Sequence, residues 1–161
     1  MHSRLIYILP ALMAMSSTAV QAALPTDGKY CVFGTGRSYN MFVVRQTPSG
    51  ALMFTLISWG EGSLGLTGTA RRMGSGWRYT ADMTSSDPRA RCTVTIRRSA
   101  DGTYRVATVE GARCENRAGA RAVLLGTDAF PPASRVGPAP ANVLGLLGDN
   151  EIGCERSEMH H

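Results

Sequence analysis

The stretch Tyr39–Ser58, YNMFVVRQTPSGALMFTLIS, decides the fold. Two apolar runs flank Thr47-Pro48-Ser49-Gly50. Proline pre-sets the first corner of a turn and glycine takes the left-handed position, so the runs are the arms of a β-hairpin. A three-residue loop then pairs Val44 with Phe54 and Phe42 with Leu56 on an inner face. The other face pairs Arg45 with Met53 and Met41 with Ile57, and it is also largely apolar. A strand pair that is apolar on both sides is expected to be covered on both sides. Two coverings are open. Either the C-terminal segment around Val143–Leu147 lies over the outer face, or Met41, Met53 and Ile57 form a docking or dimer surface, where methionine adapts to partners.

Working outward, the same reading registers two more hairpins. A two-residue turn at Gly74-Ser75 pairs Arg72 with Trp77, Ala70 with Tyr79, Gly68 with Ala81 and Leu66 with Met83 on the inner face. Its outer face sets Arg71 opposite Arg78 and Thr69 opposite Thr80. A turn through Ala100-Asp101-Gly102, with Gly102 as the bulge residue, pairs Ile96 with Val106 and Val94 with Thr108. Its outer face sets Arg97 opposite Arg105, while Arg98 meets Tyr104, where a guanidinium stacks on a ring. Apolar runs and turn residues recur along the chain at about ten-residue intervals, the rhythm of an all-β sandwich or barrel. Strands are expected at Lys29–Phe33, Tyr39–Gln46, Ala51–Ser58, Leu64–Arg72, Gly76–Met83, Arg91–Arg98, Thr103–Glu110 and Arg121–Leu125. The fold class is thus a single small antiparallel barrel or sandwich of about eight short strands.

The ends differ from this body. Met1–Ala22 carries Arg4, an apolar run from Leu5 to Met15 broken by Pro10, and then Val20-Gln21-Ala22. A basic start, an apolar middle and small residues at a cleavage site are the layout of a secretory signal peptide, and the run is too short to anchor in a bilayer. Residues 23–127 then form the β domain. Residues 128–161 read as an irregular Pro-rich extension, partly packed on the domain, with one helical turn at Asn142–Leu147 and a frayed end. Four cysteines in an exported chain imply two bridges, and three pairings are possible. Cys92–Cys114 would close a short loop and Cys31–Cys154 would tie the two ends together. Their long, irregular spacing does not favour a metal site, and no cofactor is expected.

Charge supplies the functional clue. The net charge is +5, and sixteen of the seventeen basic residues are arginine, with Lys29 the exception. A GC-rich genome accounts for the amount of arginine but not for its placement. Two hairpins each set two arginines directly opposite, which is mildly destabilising. Neighbouring guanidinium forks suit a carboxylate or phosphate, so Arg71, Arg78, Arg97 and Arg105 are candidates for an anion-binding face. The bland alternative is a solvated surface whose arginines lean apart or pair with Asp82, Asp87 or Glu110. No aromatic-basic motif points to nucleic acid.

Catalysis is disfavoured. The three histidines are His2, His160 and His161, so the β domain lacks the usual general base and metal ligand. Most of its carboxylates fall at turns, where they ordinarily stabilise the turn. Gly34-Thr35-Gly36-Arg37-Ser38 is glycine-rich, but it lacks a phosphate-loop lysine and precedes a strand, so it reads as a wide β-connection. Trp59 is expected to pack in the core, with glycan stacking as the alternative.

Ala112-Arg113-Cys114 followed by Gly119-Ala120-Arg121-Ala122 resembles a segment of small periplasmic β-barrel proteins of proteobacteria, the lysozyme-inhibitor-like group among them. The resemblance implies a periplasmic compartment, a β-barrel and the blocking of a lysozyme or other hydrolase by an inserted loop. The residues themselves lead first to an exported, non-catalytic protein that binds an anionic envelope component. A structural or oligomeric envelope protein is the third reading.

Overall fold

The computed structural model describes residues 26–34, 36–59, 63–82, 91–109, 128–148 and 153–155. Nine strands follow one another: β1 (Gly28–Phe33), β2 (Tyr39–Gln46), β3 (Leu52–Trp59), β4 (Ser63–Met73), β5 (Gly76–Asp82), β6 (Arg91–Arg98), β7 (Tyr104–Thr108), β8 (Asp128–Phe130) and β9 (Arg135–Gly137). They form one antiparallel sheet in the order β8-β7-β6-β5-β4-β3-β2-β1-β9, curled into a nearly closed barrel. Among the described residues no helix is long and apolar enough to cross a membrane. The expected signal peptide at Met1–Ala22 and the expected strand at Arg121–Leu125 lie outside the described residues.

The first hairpin has the expected register: Val44 faces Phe54, Phe42 faces Leu56, Arg45 faces Met53 and Met41 faces Ile57. Gly50 supplies the left-handed corner with φ of 80°. The third hairpin also has its expected pairs, and Arg98 lies over the Tyr104 ring at 5.4 Å. At its turn, Asp101 accepts from the Thr103 backbone N–H and hydroxyl. Those bonds hold the Asp101 carboxyl below its ordinary range.

The second hairpin departs from expectation. Arg71↔Arg78, Arg72↔Trp77 and Met73↔Gly76 form, but the β4–β5 ladder extends no further. The expected pairs of Ala70 with Tyr79 and Gly68 with Ala81 are not in it, and Met83, the expected partner of Leu66, lies outside the described residues. The reason is aromatic packing. The Tyr79 ring occupies the space a side chain at Gly68 would fill, and it meets Phe54 edge-on at 5.4 Å. The ring lies over Gly68, beyond Arg71, the last β4 residue paired with β5.

The C-terminal segment is where the expectation needs most correction. The extension expected from residue 128 enters the sheet twice, as β8 on β7 and β9 on β1. A 3₁₀ turn at Pro132–Ser134 links these two edge strands and brings the ends of the sheet together. The prolines obey their chemistry, lying between or after the edge strands where no ladder donor is required. Inside the barrel, Phe130 of β8 packs on Phe42 of β2 at 5.2 Å. Tyr104 of β7 meets Tyr30 of β1 at 5.6 Å, and its hydroxyl donates to the Thr26 carbonyl at 2.7 Å.

These contacts close one core of large buried side chains, among them Phe42, Phe54, Leu56, Ile96, Tyr104 and Phe130. Burial pushes the phenols of Tyr104 and Tyr30 above their ordinary 10.0. A raised folded-state value favours the neutral form. Its contribution to stability is therefore full below pH 10.0 and is lost as pH climbs beyond it.

A second core lies outside the barrel wall. Residues 138–148 run as a strap, ending in a 3₁₀ helix at Val143–Gly148, over the outer face of β1–β3 and the Gly65–Thr67 end of β4. Met41 and Val43 are fully buried beneath Ala139, Val143 and Leu146. The buried Thr55 hydroxyl donates to the Val143 carbonyl. The Thr67 hydroxyl lies 3.0 Å from that of Thr55 and 3.1 Å from the Phe54 carbonyl oxygen, to which it can donate. Arg45 donates to the Ala141 carbonyl at 3.3 Å. The Cys31–Cys154 disulfide, with Cα atoms 5.8 Å apart, fixes the chain beyond the strap to β1. Cys92 is disulfide-bonded as well, while Cys114 lies outside the described residues. The docking surface expected at Met41, Met53 and Ile57 is thus taken by the chain's own strap, because an apolar outer face is stabilised by whatever apolar cover is nearest.

Candidate anion-binding face

Beyond the strap, the outer wall continues across β4–β7 and changes character. In the β4–β5 hairpin the turn is fixed by Gly74, with φ of 58°, and it sets Arg71 opposite Arg78. In the β6–β7 hairpin Gly102, with φ of 85°, sets Arg97 opposite Arg105. The β5–β6 ladder joins the two pairs, since Arg78 faces Thr95 and Gly76 faces Arg97. Side chains two apart on a strand share a face. All four arginines therefore stand on one wall, in two adjacent rows spanning four consecutive strands, and all four are exposed.

A detail hidden in the sequence shapes this cluster. Gly76 stands between Met73 and Arg97 in its row. A Cβ there would come 3.1 Å from the Arg97 Cγ and 2.6 Å from the Ile96 carbonyl oxygen. The missing side chain lets the Arg97 stem lie over β5, the strand that carries Arg78. Glycine here serves close approach, and the position has no left-handed requirement.

Threonines fill the rest of the wall. The Thr80 and Thr93 hydroxyls are 3.5 Å apart, and Thr95 donates to the Ala107 carbonyl at 3.2 Å. Among the described residues no carboxylate forms an ion pair with any of the four arginines, whereas Arg45 and Asp27, 4.0 Å apart, lie by the strap. Asp87, Glu110 and the Asp82 side chain, which the sequence offers as neutralising partners, lie outside the described residues. Adjacent strands are about 4.8 Å apart, so the backbone sets each pair of arginines within side-chain reach of a common anion.

Two other sites can be settled. In the loop at 34–38, the Gly34 N–H donates to the Ser38 carbonyl at 3.0 Å, closing a β-connection with Gly36 left-handed at φ of 65°. Trp59 is 52% exposed and stacks on Tyr39 with 12° between ring planes. The expected core position is overturned because Trp59 ends β3 on the outer face, past the strap. Sequence reasoning missed Met73 and Val109, exposed apolar side chains at the margins of the basic wall. Only the hairpin registers could have found them, because their hydropathy alone assigns them to a core. No family model, curated protein or solved structure matches the chain, so the lysozyme-inhibitor-like resemblance rests on its short segment alone.

Proposed function

We propose that the chain is an exported, non-catalytic protein of the cell envelope that binds an anionic partner through Arg71, Arg78, Arg97 and Arg105. One observation carries this reading: two cross-strand arginine pairs stand side by side on an exposed wall with no described carboxylate among them. Each pair costs stability, on the order of 0.2–1 kcal/mol. A wall kept only soluble has no need of that cost. A carboxylate or phosphate bridging two forks reverses it.

Export is supported by the leader-like Met1–Ala22 and by the Cys31–Cys154 bridge, since disulfides persist in oxidising compartments. The test is retention on a phosphate-bearing resin. Arg71→Gln with Arg78→Gln should elute the protein at clearly lower salt than the parent. Retention indifferent to both the substitutions and the salt would refute the reading. A lysozyme panel assayed in parallel checks the inhibitor alternative, which predicts inhibition unaffected by either substitution.

A further inference from the structure

We infer that the anion taken by this face is the headgroup layer of an anionic phospholipid bilayer, an inference that rests on the anion-binding reading above. Shape is the first argument. The guanidiniums are spread over four consecutive strands on the outside of a barrel, in two rows. The backbone positions that carry them are about 5 Å apart across strands and about 7 Å apart along them. A convex tile of this kind meets a repeating anionic surface, whereas a single small anion calls for a concave site.

Apolar chemistry is the second argument. Met73 is 57% exposed and Val109 is 63% exposed. By register both stand on the arginine wall. Met73 is two residues from Arg71, and the Val109 N–H bonds to the Thr93 carbonyl. A soluble polyanion offers these side chains nothing. A bilayer offers them the boundary between headgroups and acyl chains while the guanidiniums stay at the phosphates. The two arguments meet at the β4–β5 turn, where a flexible thioether projects beside Arg71.

The experiment measures partition of the full, disulfide-intact chain onto phosphatidylglycerol vesicles and onto phosphatidylcholine vesicles. Comparing each variant's ratio with the parent's removes any uptake through the leader, Arg4 and the apolar run Leu5–Met15, which all of them share. Each Arg→Gln change at Arg71, Arg78, Arg97 and Arg105 should lower that ratio about fivefold, and all four together several-hundred-fold. The matching Arg→Lys set should keep most of it, and circular dichroism checks that both sets fold. Met73→Ser should weaken phosphatidylglycerol binding severalfold while leaving binding to inorganic polyphosphate unchanged. Polyphosphate binding with equal uptake by the two vesicle types would overturn the bilayer and leave the anion face standing. Unaltered phosphatidylglycerol binding in Met73→Ser would also overturn the bilayer. Binding to neither probe would overturn both the bilayer and the anion face.

Discussion

The outer wall of this barrel has two halves built on the same ladder and treated in opposite ways. Over β1–β3 it presents Met41, Val43, Met53 and Ile57, and the strap seals it into a second core. From Arg71 of β4 across to β7 it presents arginine and threonine, and the four arginines there are exposed. The backbone is equivalent in both halves, so the side chains decide. Apolar area removed from water contributes about 25 cal/mol per Å², enough to hold a tethered segment in place. A guanidinium wall would cost several kcal/mol per ion to bury, so it stays open and available to a partner that brings negative charge.

The comparison can be broken at its strongest point first. Replacing Cys31 and Cys154 by Ser removes a bridge between residues 123 apart in sequence. The chain-entropy estimate puts the loss at about 5 kcal/mol, read as a shift in denaturant midpoint. A loss below about 1 kcal/mol would mean that the strap's apolar contacts suffice without the staple.

The two walls can next be compared through one residue type. Met41→Ala should cost about 3 kcal/mol, because a fully buried side chain leaves a cavity under the strap. Met73→Ala, on the open wall, should stay within about 0.5 kcal/mol. Similar costs would show that the strap is not packed on Met41 in solution.

A finer probe is Thr55→Val, which keeps the shape but strips the Val143 carbonyl of its donor. The expected loss is about 1–3 kcal/mol. Smallest, and opposite in sign, is the effect of removing like charge from the open wall. Arg78→Thr with Arg105→Thr should raise thermal stability by a few tenths to about 1 kcal/mol per pair. Added salt should shrink that gain, because it screens the repulsion in the parent alone. A gain unaffected by salt would mean the arginines do not repel.

Legibility varied across the molecule for identifiable reasons. Val44↔Phe54 and Arg97↔Arg105 were readable because short glycine turns fix the offset between their strands. The arginine pairs were therefore visible before any coordinates. β8 and β9 were not readable, since three-residue strands hold too few alternations to show a period. Ala70 with Tyr79 was misjudged because the register beyond the turn depends on a ring seated over Gly68, a contact made in space. Trp59 was misjudged because a large aromatic says core, whereas its exposure depends on where the strap ends.

The chain by itself determined the all-β class, the two outer faces with their different chemistry, and the pairing of Arg71 with Arg78 and Arg97 with Arg105. These follow from side-chain alternation and turn geometry, which act over a few residues. Only the tertiary structure decided that β8 and β9 extend the two ends of the sheet, that the strap conceals Met41, and that the two arginine pairs lie in adjacent rows. Those outcomes depend on how distant segments compete for apolar surface, and no local pattern records that competition.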